Sequence, residues 1–133
     1  MPQVAIDFTR VWEEAHKASV TEPASEKAAY LLRTVGPRIA AAALDLSDAR
    51  QLKRWAASDD LEPREHDVAA RLDALYWIVR AIVGCYSAGV AARFLRSANP
   101  QLDDQAPLLV LRSAAEADAL RRVLVATRAF LEG

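Results

Sequence analysis

The stretch from His66 to Tyr86 constrains the fold more than any other part of the chain. Its apolar side chains recur at intervals of three and four residues, which places them in one stripe along a helix. The stripe consists of Val68, Leu72, Leu75, Val79, Ile82, Val83 and Tyr86. The longest uncharged run of the chain, 81–92, has twelve residues, well short of the roughly 20 that cross a bilayer. The pattern therefore predicts a long central helix that belongs to a protein core, with no membrane partner.

Shorter segments with helical periodicity lie on both sides of this central helix. They are predicted to form helices over 3–19, 24–34, 37–44, 49–57, 90–98, 107–114 and 116–131. Ser25 is a candidate cap for the second of these helices. Gly89 predicts a bend or a close helix contact after the central helix. No stretch shows the period-two alternation of a β-strand, so we predict an all-α fold.

The order of these helices predicts one domain with two lobes. A chain of 133 residues is long enough to bury a core without disulfides or metal ions. Residues 1–62 would form an N-terminal lobe with a helix-turn-helix-like unit at 36–57. Residues 63–133 would contain the central helix and a helical C-terminal lobe.

Composition limits the cellular compartments and the classes of partner that the chain is expected to have. The net charge of −1 gives no global reason to expect nucleic acid or an anionic membrane as a partner. The single cysteine, Cys85, excludes an intramolecular disulfide, and its apolar surroundings predict a buried, inert thiol. The N-terminus has acidic residues and lacks the basic start of a secretion signal, which predicts a cytoplasmic protein.

The residues that usually carry catalysis do not form a recognisable motif. His16 and His66 lie apart among charged residues, and neither has a metal-ligand spacing to another histidine or to a cysteine. The acidic residues occur as sequence neighbours, which point about 100° apart on a helix. The four glycines are dispersed and form no phosphate-binding loop. We therefore predict that the protein is not an enzyme and uses no cofactor or metal ion.

The unit at 36–57 has a local excess of positive charge. Five basic and two acidic residues occur between Arg33 and Arg54, and such clustering can position a helix on phosphates. The predicted DNA-binding residues are Arg50 and Gln51 near the bases, and Lys53 and Arg54 at the backbone. The alternative is a helical hairpin that only supports the fold. Asp45 stands in the turn where glycine is usual, and it can adopt the left-handed conformation better than most residues.

The C-terminal half contains a longer pattern of residues. The run RLDALYWIVRAIV is followed by AARFLRSANPQLDDQAPLLVLRS and then by RRVLVATRAFLEG. This order resembles the toxin-binding family of Xre/MbcA/ParS antitoxins, and ALDLSDARQLKRWAASDDLEP upstream resembles their helix-turn-helix. The matching positions, from an aromatic residue through an Asn-Pro loop to a Val-Leu pair, are Phe94, Asn99, Pro100, Leu102, Pro107, Leu108, Leu111, Val123 and Leu124.

The resemblance implies a function and a binding site. Members of that family neutralise RES-domain toxins, which destroy NAD, by obstructing the toxin's substrate cleft with their C-terminal part, and many also bind their own promoter as dimers. The residues implied to bind toxin here are Asn99, Leu102, Pro107, Leu108, Leu111, Phe130, Leu131, Glu132 and Gly133. We therefore predict an antitoxin of a type II toxin-antitoxin system with a cognate RES-domain toxin as its partner and with operator DNA as a second one.

Two other functions stay open at this point. A stand-alone helix-turn-helix transcriptional regulator would bind DNA with a steep salt dependence. An orphan helical scaffold or small enzyme would need a pocket with perturbed titratable groups. The apolar first and central helices also suggest a homodimer, or a larger hetero-oligomer with the toxin, although the sequence does not indicate which helix pairs.

Overall fold

The computed structural model describes residues 6–114 and 117–133, and within these ranges the chain is all-helical, with eight α-helices and no β-strand. The predicted all-α class is thus confirmed for the described residues. The helices are α1 (Phe8–Thr21), α2 (Ala24–Thr34), α3 (Pro37–Ala43), α4 (Arg50–Ala57), α5 (His66–Cys85), α6 (Ala88–Arg96), α7 (Pro107–Ser113) and α8 (Ala117–Glu132), with a 3-10 turn at Pro100–Leu102. Over the same ranges, no helix has the length and apolarity needed to span a bilayer.

The central helix α5 is covered on most of its circumference. It packs against α1, α2, α6 and α8 and also contacts α3 and α7. The predicted single stripe was therefore too narrow, because Arg71, Tyr76 and Ile78 are buried as well, whereas Tyr86 lies beyond the helix and is exposed. A helix that is apolar on several sides is buried on several sides. Most of the apolar surface of α5 is thus covered by other helices of the same chain.

One buried cluster extends through both predicted lobes, from Trp12 to Leu131. Helix α3 packs on α7, and an ion pair joins Arg112 Nε to Asp45 Oδ1 at 3.3 Å. The N-terminal helices and the C-terminal helices therefore share their core, and the turn between α3 and α4 is held against the end of α7.

The bounds of α1 and the cap of α2 differ from the prediction. Helix α1 was expected over 3–19, but Asp7 accepts a hydrogen bond from Arg10 N and the helix extends from Phe8 to Thr21. Ser25 does not cap α2, because its hydroxyl instead donates to Asp59 Oδ1 at 2.8 Å. The predicted helical positions 3–5 and 116 lie outside the described residues.

The turn between α3 and α4 has the geometry that its aspartates favour. Asp45 is left-handed with φ 58°, a conformation that aspartate tolerates better than most side chains. Asp48 Oδ1 then accepts from Arg50 N at 2.8 Å, where the first turn of α4 has an unpaired donor. Leu52 and Trp55 face inward, and α4 packs mainly on α2.

A close contact between helices occurs at Gly84 and not at Gly89. A Cβ atom at Gly84 would lie 2.7 Å from Val11 Cγ1, whereas a Cβ at Gly89 would meet nothing nearer than Ser87 Oγ at 3.8 Å. The predicted bend is present beside Gly89, because α5 ends at Cys85 and α6 begins at Ala88. Gly84 therefore sets how closely α1 approaches α5.

We expect Gly84→Ala to lower the free energy of unfolding by about 1 kcal/mol, measured by urea denaturation. Overpacking typically costs about 1–3 kcal/mol, and the branched Val11 side chain has little rotamer freedom with which to move away. This cost exceeds the roughly 1 kcal/mol gained when alanine replaces glycine within a helix. In a Val11→Ala background the same substitution should be neutral or stabilising. Equal stability of Gly84→Ala and the wild type would contradict the contact.

Candidate partner-binding groove

A groove of about 710 Å³ lies where the end of α5, α6, the loop after α6 and the end of α8 meet. Its wall is mostly apolar and aromatic. It is lined by Tyr86, Val90, Arg93, Phe94, Ser97, Ala98, Asn99, Pro100, Phe130 and Gly133. Grooves of this volume, with apolar walls and few polar groups, are typical of binding sites.

Three aromatic side chains in tilted contact form the floor of the groove. The Phe130 ring lies 4.8 Å from the Phe94 ring and 5.7 Å from the Tyr86 ring, centroid to centroid. Phe94 is buried, whereas Tyr86 and Phe130 are 46% and 38% exposed. Large aromatic surfaces left open to water in this way are common at protein interfaces and carry much of their binding energy.

The bend between α5 and α6 creates one wall of the groove. Tyr86 leaves the helical conformation with φ −136° and ψ −102°, which ends α5. The Ser87 hydroxyl then accepts from Val90 N at 3.2 Å and caps the start of α6. Because the chain reverses over two residues, α6 packs back on α5 and brings Phe94 beside Tyr86.

A hydrogen-bonded loop forms the opposite wall. Asn99 Oδ1 accepts from Gln101 N at 2.9 Å. The Asn99 backbone N–H donates to Gln105 O at 3.1 Å, and the Asn99 carbonyl accepts from Asp104 N at 3.0 Å. Asp103 and Asp104 are both left-handed, with φ 55° and 64°. These bonds hold the loop in one shape, so this wall is well ordered before any partner binds.

The structure separates the predicted toxin-binding residues into three groups. Asn99, Phe130 and Gly133 line the groove. Three leucines are at most 1% exposed and belong to the core, where they cannot contact a partner directly: Leu102, Leu111 and Leu131. Among the others, Pro107 is buried and Leu108 is half-buried, while Glu132 is exposed and pairs with Arg128 at 3.1 Å.

Sequence reasoning missed several residues of the groove. Tyr86 was assigned to the apolar stripe of the central helix, and Val90 and Arg93 were not singled out. The position of Tyr86 just before Ser87, a candidate cap of a new helix, could have indicated that the central helix ends there. Nothing in the local sequence indicated that Arg93 faces the groove.

Arg93 is the only charged side chain among the described residues that line the groove. Helix α6 contains a second cation, Arg96, and no acidic residue. None of the ion pairs formed by the described residues includes Arg93. The groove therefore presents a guanidinium beside an aromatic surface.

The predicted DNA-binding residues form a second, polar surface. Arg50, Gln51, Lys53 and Arg54 are all exposed on α4. A shallow cavity of about 660 Å³ lies between α4 and the start of α5, and Arg64, which sequence reasoning missed, lines it together with Arg50 and Arg54. This brings three guanidinium groups from two parts of the chain to one surface.

An aspartate neutralises part of the positive charge on this surface. The Arg50 Nε atom donates to Asp48 Oδ2 at 2.9 Å. This hydrogen bond lowers the pKa of Asp48 and raises the pKa of Arg50. Both side chains are exposed, so the pair is screened by water and salt and can open to another anion.

The two histidines and the cysteine lie outside the groove. His16 and His66 are exposed, and the His16 ring stacks 4.2 Å from Trp77, whose Nε1 donates to Trp12 O at 3.2 Å. Cys85 is buried, and burial raises the pKa of its thiol. Within 6–114 and 117–133, no group of three or more His, Cys, Asp or Glu residues could hold a metal ion.

Comparison of the chain with protein-family models, with curated proteins and with solved structures found no match.

Proposed function

We propose that this protein is a cytoplasmic antitoxin of a type II toxin-antitoxin system, which binds and inhibits a RES-type NAD-degrading toxin through the aromatic groove. The observation that carries the proposal is the groove itself. Asn99, Phe130 and Gly133 come from two distant parts of the sequence, were all implied by the resemblance, and line one surface with two exposed aromatic rings. In this function the chain is a protein-binding inhibitor without catalytic or cofactor chemistry of its own.

The position of the C-terminal residues supports inhibition by obstruction. Gly133 lies at the groove, and Glu132 beside it is exposed. A toxin surface that packs on Phe130 is thereby brought next to these last residues. The aromatic floor would supply the binding energy, while the end of α8 would lie over the partner's cleft.

Co-expression with the product of the neighbouring gene tests the proposal, with cell growth and cellular NAD as the two readouts. The neighbour alone should deplete NAD and stop growth, and this chain should restore both. Removal of residues 132–133, which are exposed, should weaken the rescue without unfolding the protein. A harmless neighbour, or a toxic neighbour that this chain never neutralises, would reject the proposed function.

A second candidate is a stand-alone DNA-binding regulator, favoured by the surface that contains Arg50, Arg54 and Arg64. Its guanidinium groups could contact phosphates of the backbone, with Gln51 near base edges. The same surface would allow an antitoxin to regulate its own operon, so the two functions are compatible. Asp48 and Glu65 on the same surface oppose DNA binding by repelling phosphate.

If this surface binds DNA, Arg54→Ala and Arg64→Ala should each weaken binding to the DNA upstream of the gene. Each substitution removes about one phosphate contact, so the slope of log K against log salt should fall by about 0.9. Fluorescence anisotropy over a salt series would measure this slope. Arg121→Ala, which removes an exposed arginine on α8, is the matched control and should leave the slope unchanged. Equal slopes for all variants would exclude this surface as the DNA contact.

A further inference from the structure

The aromatic groove combines the two chemistries that dominate protein interfaces. Its floor offers the exposed rings of Tyr86 and Phe130, and its rim offers the guanidinium of Arg93. Aromatic residues and arginine are enriched at the centres of interfaces and among the residues whose truncation costs most binding energy. A single cationic side chain beside such a surface also restricts what can bind there.

We infer that the groove binds a short acidic segment of a partner protein, in which an aromatic or branched aliphatic side chain packs on Phe94 and Phe130 and a neighbouring carboxylate pairs with Arg93. This inference rests on the proposed function, because it takes the groove to be the partner-binding site. It adds the chemistry of the partner segment that binds there. Charge complementarity carries it, because a carboxylate can accept two parallel hydrogen bonds from a guanidinium.

The arrangement of charge disfavours the other occupants. A nucleic acid is bound through several cations along its backbone, whereas the described lining of the groove has one. A basic segment would be repelled by Arg93 and by the nearby Arg96. A wholly apolar segment would fill the floor and leave Arg93 desolvated without a partner, which costs binding energy.

Helix α6 provides a matched pair of cations for the test. Arg93 lines the groove, whereas Arg96, three residues later, does not. The Arg96 Nε atom donates to Ala92 O at 3.4 Å on its own helix. Both side chains are exposed, so Arg93→Glu and Arg96→Glu change the net charge equally and should leave the fold intact, which thermal unfolding would verify.

The experiment selects short random peptides displayed on phage against the full chain and then measures the enriched peptides by fluorescence anisotropy. We expect the enriched peptides to carry an aspartate or glutamate close to an aromatic or branched aliphatic residue. Arg93→Glu should weaken their binding at least about tenfold, while Arg96→Glu should weaken it by less than about threefold, as for an exposed charge outside the contact. A selection against Arg93→Glu itself should enrich basic residues in place of acidic ones.

Several outcomes would overturn the inference. These are a selection that enriches nothing, enriched peptides without acidic residues, and equal effects of Arg93→Glu and Arg96→Glu. If analytical ultracentrifugation shows concentration-dependent dimerisation that Phe130→Glu abolishes, the groove binds a second copy of the chain instead. The co-expression assay distinguishes failure of this inference from failure of the proposed function. If rescue requires Phe130 but persists in Arg93→Glu, the antitoxin function is retained and the acidic segment is rejected.

Discussion

Phe130→Glu should weaken binding to the neighbouring gene's toxin by at least about 100-fold and abolish rescue of cellular NAD. Truncating an aromatic residue at the centre of an interface typically costs about 2–4 kcal/mol. A glutamate adds the cost of burying a carboxylate against the Phe94 ring, which lies 4.8 Å from the Phe130 ring. Titration calorimetry with the purified toxin would measure the affinity, and an NAD assay in cells would measure protection.

A matched substitution on the same helix distinguishes loss of the groove from a general effect of charge. Val125 is 57% exposed on α8 and does not line the groove. Val125→Glu should therefore bind toxin within about threefold of the wild type. Val125→Glu should unfold at nearly the wild-type temperature. Phe130→Glu should remain folded, as circular dichroism would verify, although it loses the ring contacts with Phe94 and Tyr86. Equal loss of binding in the two variants, or full binding by Phe130→Glu, would place the toxin contact elsewhere.

Arg71→Met should lower the free energy of unfolding by about 2–4 kcal/mol. Arg71 is buried, and its Nε and Nη2 atoms donate to Leu111 O at 3.1 Å and to Ala114 O at 2.7 Å. These carbonyls belong to the end of α7, where a helix has unpaired acceptors and a partial negative charge. Methionine fills similar space but donates nothing, so two acceptors lose their charged donor. Urea denaturation monitored by circular dichroism would measure the loss.

Two controls isolate these hydrogen bonds. Arg71→Lys keeps the positive charge but not the planar fork of donors, and it should recover only part of the lost stability. Arg93→Met removes an exposed arginine and should change the free energy of unfolding by less than about 0.5 kcal/mol. If Arg71→Met is as stable as the wild type, the link between α5 and the end of α7 does not stabilise the fold.

Much of the helical architecture could be predicted from local sequence. Helix α2 has the predicted bounds, and α3, α4, α5 and α7 end within about a residue of prediction. Proline starts and the three- and four-residue spacing of apolar side chains are properties of a single segment, so they can be interpreted without knowing the fold. The burial of Cys85 was likewise predicted from its apolar neighbours.

The candidate site was only partly predictable. The resemblance named Asn99, Phe130 and Gly133 among nine residues, and it did not separate them from the buried leucines in the same segments. An apolar side chain with helical spacing faces some neighbour, but the sequence does not say whether that neighbour belongs to the same chain or to a partner. Phe130 and Leu131 illustrate the ambiguity, since one is 38% exposed and the other 1%.

The sequence by itself determined where helices form and that their apolar faces must be covered. Only the tertiary structure decided that α5 is covered on most sides, that Arg71 is buried at the end of α7, and that Tyr86 and Arg93 meet Phe130 at one groove. The physical reason is the range of the interactions. Helix formation depends on residues within a turn or two of each other, whereas burial depends on the packing of segments far apart in the chain.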